Sequence, residues 1–216
     1  MTYLAFVLWS LGEIDLALPL IERMRERVSG LTHANTLALG AMHASVFELM
    51  RGDRSRARTN ALELARIVRE YDLRMFHAYG EFFEGWVTAD GGALTNGLDL
   101  MRRGAESLRE QNVLAFDGLI KIALSEAEAR AGDLERAIAT LDEALATAER
   151  TGYRAFEAEL RRTRGEMLLR RDPANFGEAE QPLQTAVAIA RQQGTRAFEL
   201  RAALCGNWAR SNARRN

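Results

Sequence analysis

The sequence predicts an all-α fold, an α-α superhelix of about five antiparallel helix pairs followed by one terminal helix. Turn residues recur at intervals of 40 residues, and small residues recur at fixed distances on both sides of each turn. No alternating apolar run typical of a β-strand lies between the turns. A single helix pair cannot bury its apolar faces alone, so the pairs must stack to form a continuous core.

Glycines at the centre of each helix pair set the period. Gly12, Gly52, Gly92 and Gly132 are spaced 40 residues apart, and Asp172-Pro173 takes the fifth position. We therefore treat residues 1–216 as one repeat domain. Its repeats are 1–32, 33–73, 74–113, 114–153 and 154–195, with a terminal helix at 196–212.

Each repeat is expected to hold a first and a second helix. The first helices are predicted at about 2–11, 33–51, 74–90, 114–131 and 154–171. The second helices are predicted at about 14–29, 54–71, 94–111, 134–151 and 176–193. Pro19 and Pro182 fall beyond the first turn of second helices, so we expect a kink or a late helix start at each.

Local signals at the helix ends support these boundaries. Asp53, Thr95 and Asp133 are suited to helix N-termini, where an oxygen can accept a hydrogen bond from a free backbone N–H. Glycines are suited to the left-handed position that ends a helix, and we expect this conformation at Gly30, Gly152 and Gly194.

Small side chains are placed where two helices would have to approach closely. Seven residues before each turn lie Ala5, Ser45, Gly85, Ser125 and Gly165. The second helices carry small or apolar residues at i, i+4 and i+7, on one face. These are Ala17, Ile21 and Met24; Ala57, Ala61 and Leu64; Gly97, Met101 and Gly104; Ala137, Leu141 and Ala144; and Ala179, Leu183 and Ala186. Phe76, Phe116 and Phe156 recur at one phase and are expected to fill the gaps between successive helix pairs.

Composition narrows the classes of function. The 216 residues include 29 basic and 30 acidic ones, so there is no basic excess of the kind that a nucleic-acid surface requires. Cys205 is the only cysteine, which excludes an intrachain disulfide and a cysteine metal cluster. The apolar run 4–11 falls far short of the roughly 20 residues of a membrane helix. We therefore expect a cytoplasmic protein that is not inserted in a membrane.

No catalytic motif is found. The sequence has no P-loop, and His33, His43 and His77 lack metal-ligand spacing. We expect no cofactor, no metal and no enzymatic activity.

The repeat pattern resembles the tetratricopeptide repeat, although its period is longer than the usual one of about 34 residues. The segments 131–138, 152–169 and 198–203 are similar to a long-repeat variety at the C-terminus of large bacterial signalling ATPases. In that family the repeats follow an NTPase module, itself preceded by a nucleotide cyclase or a winged-helix domain. The resemblance implies a non-catalytic protein-interaction scaffold that forms the regulatory region of a signalling or transcription-regulating ATPase.

The resemblance also implies that the first helices line a concave groove, apolar in its N-terminal half and charged in its C-terminal half. The candidate partner-binding residues are Phe6, Trp9, Met42, Val46, Met50, Phe82, Trp86, Glu126, Arg130 and Arg162. An apolar groove favours an amphipathic helix from a protein or peptide, or from upstream domains of the parent protein. An alternative for the aromatic residues among them is that they pack as core between the helix layers.

Two further expectations concern ligands and assembly. The alternative function is a sensor that binds a small effector in the groove, near Trp86, Glu126 and Arg130. The first helix is apolar and has no polar cap, so we expect that the chain is a fragment whose first helix packs on an upstream domain. Uncapped ends also make a homodimer through the end helices an expected assembly.

Overall fold

A computed structural model describes residues 2–213, with side chains as far as Trp208. Over these residues the protein is all-α, with eleven α-helices and no strand. The helices are α1 (Thr2–Ser10), α2 (Ile14–Ser29), α3 (Ala34–Arg51), α4 (Arg54–Glu70), α5 (His77–Asp90), α6 (Leu94–Glu110), α7 (Asp117–Arg130), α8 (Leu134–Thr151), α9 (Glu157–Arg171), α10 (Phe176–Gln193) and α11 (Arg196–Ala213). Within residues 2–213, none of these helices combines the length and apolar character that crossing a bilayer requires.

The predicted helices agree with the structure except at the start of three first helices. α5, α7 and α9 each begin three residues later than predicted, directly after Phe76, Phe116 and Phe156. Each of these phenylalanines directly precedes its α-helix and is at most 7% exposed, and Phe76 ends a short 3₁₀-helix, Arg74–Phe76. Burial of the ring thus takes precedence over an additional helical turn.

The chain forms two compact units. The first contains Met1–Trp9 and Glu13–Ala115, and the second contains Ser10–Gly12 and Phe116–Asn216. Helices α2–α6 belong to the first unit together with α1 up to Trp9, and α7–α11 belong to the second.

The closest helix approach in the first unit is between α5 and α6. A Cβ atom on Gly97 would lie 2.4 Å from the backbone nitrogen of Ala89 and 2.6 Å from the carbonyl oxygen of Gly85. A Cβ atom on Gly104 would lie 2.6 Å from the backbone nitrogen of Phe82. Real Cβ atoms do not approach backbone atoms this closely, so glycine is required for the two backbones to touch.

The second unit uses somewhat larger side chains at the same positions. Ala137, Leu141 and Ala144 of α8 are at most 2% exposed. A Cβ atom on Gly165 would lie 2.7 Å from the side chain of Leu183, which is a flexible neighbour. Every small or apolar position that the sequence predicted for a helix crossing, in both units, is buried.

Aromatic rings link successive helix pairs of the second unit. The ring centroids of Phe116 and Phe156 lie 6.5 Å apart, and those of Phe156 and Phe198 also lie 6.5 Å apart. The predicted filling of gaps by this series of phenylalanines is therefore confirmed within this unit, and Phe198 extends the series.

The predicted helix caps are partly confirmed. Asp53 and Asp133 accept hydrogen bonds of 3.0 Å from the backbone N–H groups of Arg56 and Arg136. Thr95 is the second residue of α6, whose N-cap is Ala93, so the prediction of Thr95 as a cap is wrong.

The predicted C-terminal caps are also confirmed only in part. Gly152 and Gly194 adopt the left-handed conformation, whereas Gly30 has φ −86° and does not. Asp72 and Asn112 take the left-handed positions that end α4 and α6, which residues with short polar side chains tolerate better than most. Helices α2 and α10 run through Pro19 and Pro182, so a late helix start at these prolines is wrong.

Two buried carboxylates occupy equivalent places before the turns of α3 and α7. Glu128 is fully buried and accepts a hydrogen bond of 2.7 Å from the hydroxyl of Thr140 on α8. Glu48, 80 positions earlier, is also fully buried and pairs with Arg51 at 2.5 Å. The bond between Thr140 and Glu128 joins α8 to α7, whereas Glu48 and Arg51 both lie on α3.

We predict that Gly97→Ala lowers the free energy of unfolding by about 1–3 kcal/mol, because the added methyl group would force the α5 and α6 backbones apart. Gly177→Ala is the matched control, since Gly177 is an exposed helical residue whose Cβ would meet nothing closer than 3.8 Å. This control should gain up to about 1 kcal/mol from helix propensity. Urea denaturation followed by circular dichroism measures both. Equal and small effects would show that the close crossing is not required.

Candidate functional site

The apolar half of the predicted groove lies in the interior of the first unit. Its seven residues are each at most 7% exposed: Phe6, Trp9, Met42, Val46, Met50, Phe82 and Trp86. They therefore form no surface that is open to a partner in this structure. Their burial agrees with the alternative prediction, in which the aromatic residues pack as core between the helix layers. Their role in partner binding stays a prediction.

The contacts of two aromatic side chains explain this burial. Phe6 packs edge-on against Phe47 of α3, with ring centroids 5.5 Å apart. Trp86 is covered by the guanidinium group of Arg54, whose central carbon lies 5.2 Å from the ring centroid, and Arg54 also pairs with Asp90. The faces of α1 and α5 that carry these two rings are therefore covered within the first unit, which the repeat phase did not reveal.

The charged half of the predicted groove lies in the second unit. Glu126 is half-buried and Arg130 is exposed, both on α7. Arg162 on α9 is 11% exposed at its side chain and forms salt bridges with Glu166 at 2.5 Å and Glu159 at 3.1 Å. Arg162 therefore lies at the centre of an ionic cluster.

Two residues of α11 complete this cluster. Arg201 pairs with Glu159 at 3.1 Å across the two helices. Cys205 is half-buried beside Glu166 and Arg162, which both act on its thiol. Sequence reasoning missed Arg201 and Glu159, although their 42-residue separation equals the offset between Phe156 and Phe198.

The electrostatics of the cluster are those of a neutral, hydrogen-bonded network. Burial by itself would lower the pKa of Arg162, but the carboxylates of Glu159 and Glu166 outweigh it and raise this pKa. Burial, together with the nearby Glu166 carboxylate, raises the pKa of the Cys205 thiol to about 12. The thiol is therefore protonated at neutral pH and is not an activated nucleophile.

The arrangement is better suited to holding α9 against α11 than to binding an ion. Two guanidinium groups face two carboxylates, so the opposite charges of Arg162, Arg201, Glu159 and Glu166 balance. Within the described part of the chain, no group of three His, Cys, Asp or Glu side chains is placed to hold a metal ion.

An apolar stripe on α11 is the clearest surface available to a partner. Leu200, Leu204 and Trp208 follow one another at i, i+4 and i+8 and are 60%, 59% and 63% exposed. Residues at this spacing lie on one helix face. The spacing is visible in the sequence, but the exposure of the face is not.

A second exposed apolar surface lies on α1. Tyr3, Leu4 and Val7 are 62%, 52% and 54% exposed, while Phe6 and Trp9 on the other face are buried. The expectation of an apolar first helix without a polar face is consistent with this exposure. Dimer formation through such a surface stays a prediction.

An open cavity of about 520 Å³ lies between α2, α3 and α4 of the first unit. Its lining is mostly apolar, with the side chains of Arg25, Asn60, Glu63 and Arg66 as the longer polar groups. This volume is within the usual range of about 300–1,000 Å³ for small-molecule sites.

Comparison with known proteins adds one relative. The chain is 27% identical over 199 residues to uncharacterized protein R02095 of Rhizobium meliloti strain 1021. The alignment covers 92% of this chain and 19% of the relative, so the chain spans about a fifth of the length of that protein. No protein family and no solved structure matches the chain.

We predict that Arg162→Met lowers the free energy of unfolding by about 3 kcal/mol, because it removes the buried cation that lies between the carboxylates of Glu159 and Glu166. Arg164→Met is the control, since Arg164 pairs with Asp142 at 2.6 Å on the exposed side of the same helix. The control should cost less than about 1 kcal/mol. Guanidinium titration monitored by circular dichroism compares them, and equal losses would contradict a structural role for the cluster.

We also predict that Cys205 reacts with iodoacetamide at pH 8 at least about a hundredfold more slowly than glutathione. Its raised pKa leaves very little thiolate at this pH, and partial burial slows access further. The rate should climb steadily up to at least pH 11. Mass spectrometry of quenched samples gives the rate, and the chain in 8 M urea serves as the reactive control. Rapid labelling of the folded chain would refute the prediction.

Proposed function

We propose that this chain is a non-catalytic protein-interaction scaffold. In this proposal it is a tetratricopeptide-like solenoid, the regulatory repeat region of a bacterial signalling or transcription-regulating ATPase in the cytoplasm. The observation that carries the proposal is the recurrence of one helix-pair geometry. In both units, small side chains at 40-residue intervals are buried where a first helix meets its second helix.

The length of the relative supports the second part of the proposal. The chain corresponds to about a fifth of that protein. A repeat region within a much longer polypeptide is the arrangement that the resemblance to signalling ATPases implies.

The stripe of Leu200, Leu204 and Trp208, hereafter the α11 stripe, is the proposed contact surface. Phe198 follows Phe156 by 42 residues. With the same offset, the residues of α9 equivalent to the stripe are Ala158, Arg162 and Glu166. On α9 that face is turned toward α11, as the pairing of the neighbouring Glu159 with Arg201 indicates. An amphipathic helix packed on the α11 stripe would continue the same stacking.

A small-effector sensor is the second candidate function. The cavity between α2, α3 and α4 favours it, because a ligand there would contact three helices of one unit at once.

The scaffold proposal predicts site-specific crosslinks from the α11 stripe in cells. A photoreactive phenylalanine analogue placed at Leu204 should give a discrete crosslinked species, whose attachment point maps to an amphipathic helix of the partner. The same analogue at Glu149, an exposed residue of α8, should give none.

Peptide mapping of the crosslinked species by mass spectrometry identifies the partner and separates a different protein from a second copy of the chain. Leu200→Asp should abolish the crosslink, because a charge in the stripe repels an apolar helix face. Absence of a crosslink at Leu204, or the same products at Leu204 and Glu149, would overturn the proposed contact surface.

A further inference from the structure

We propose that the cavity between α2, α3 and α4 binds a small amphipathic monocarboxylate, a molecule with one carboxylate and an apolar chain. The inference names a ligand class for the sensor function. Only the regulatory effect of the ligand rests on that proposed function, since binding itself can be measured without a partner. All lining residues belong to the first unit.

The floor of the cavity selects an apolar ligand body. Met24 and Val28 of α2, Leu37 and Ala44 of α3, and Ile67 of α4 line it. Ala44 and Ile67 are each only 1% exposed and form a packed base, while the half-buried Val28 and Leu37 supply the apolar surface that a ligand can cover. An apolar chain placed on this floor removes both surfaces from water, which is favourable in proportion to the area buried.

Asn60 lines the cavity and carries an unused hydrogen-bond donor at its wall. Its side chain is buried, at 6% exposure, and its covered Nδ2 atom has no hydrogen-bond partner among the described residues. A buried donor without an acceptor is costly, so a ligand oxygen that reaches Nδ2 would remove this cost.

Arg25 provides the positive charge. It is half-buried on α2 and lines the cavity, and among the side chains that the structure describes none forms a salt bridge or hydrogen bond with its guanidinium group. Arg66 on the opposite side is already held by Glu63 at 2.8 Å and by Glu70. The cavity therefore offers one available cation, which matches one carboxylate.

This inventory distinguishes a monocarboxylate from other anions. A phosphate group carries nearly two negative charges at neutral pH and requires more donors than one guanidinium and one amide. The carboxylate of Glu63 on the rim would also repel a dianion. An uncharged alcohol would leave Arg25 without a counter-charge.

The second unit has a threonine at the position that Asn60 occupies in the first unit. Thr140, 80 positions after Asn60, donates its hydroxyl hydrogen to Glu128 at 2.7 Å. In the first unit the equivalent carboxylate is Glu48, whose Oε1 atom also has no hydrogen-bond partner. Asn60→Thr is therefore a substitution that the fold already accepts, and it removes the amide donor from the cavity.

Isothermal titration calorimetry of the full chain with sodium octanoate tests the proposal. We expect saturable binding of one octanoate with a dissociation constant on the order of 0.1–1 mM. 1-Octanol should bind about tenfold more weakly because it lacks the charge. Acetate, which lacks the apolar chain, should show no saturable binding.

The variants locate the site. Arg25→Gln should weaken octanoate binding about tenfold, and Asn60→Thr about fivefold with an unchanged or raised melting temperature. Arg23→Gln is the matched control, because Arg23 is an exposed residue of the same helix whose side chain bonds the carbonyl oxygen of Pro19. It should bind octanoate as the parent chain does.

Three results would overturn the proposal: no saturable octanoate binding, equal affinity for octanol, or equal losses for Arg25→Gln and Arg23→Gln. Each of these concerns the cavity alone. A crosslinked partner at Leu204 without octanoate binding would support the scaffold function and contradict the ligand site. Octanoate binding without a crosslink at Leu204 would support the ligand site and contradict the proposed contact surface.

Discussion

Close approach of helix backbones at small side chains is the constraint on which the structure depends. It is strictest between α5 and α6, where Gly97 and Gly104 face backbone atoms rather than side chains. Elsewhere Ala57 or Ala137 takes the place of Gly97, and a methyl group is accommodated. Because dispersion contacts fall off steeply with distance, helices separated by a larger side chain would lose packing along their whole length.

Burial of charge is the second organising feature, and in the second unit the buried charged groups have partners close by. Glu128 lies inside the α7–α8 pair with a hydroxyl donor from Thr140, and Arg162 lies between two carboxylates. Such groups contribute little net stability, since pairing mainly offsets the cost of removing them from water. Their value is positional, because only one helix register allows every partner to meet. Asn60 in the first unit differs from these paired groups, since its buried donor has no acceptor among the described residues.

The surfaces available for function are those that the repeat packing leaves uncovered. The faces of the first helices that were predicted to line a groove in the first unit are covered, so Trp86 and Phe82 are interior residues. The α11 stripe and the outer face of α1 remain exposed, with Trp208 and Tyr3 among the most accessible aromatic side chains. A chain of this kind offers its partners the faces on which another helix could pack, and offers small molecules the openings between helices that do not pack fully.

The sequence alone determined the helices, their boundaries to within three residues, and the small residues at their crossings, such as Gly85 and Gly97. These features depend on spacing along one helix, which the chain encodes locally. Only the tertiary structure decided that Trp86 is covered by Arg54, that Arg162 meets Arg201 and Glu159 in one network, and that Asn60 opens into a cavity. The reason is that the exposure of a helix face is set by which other helices cover it, and those helices lie far away in the chain.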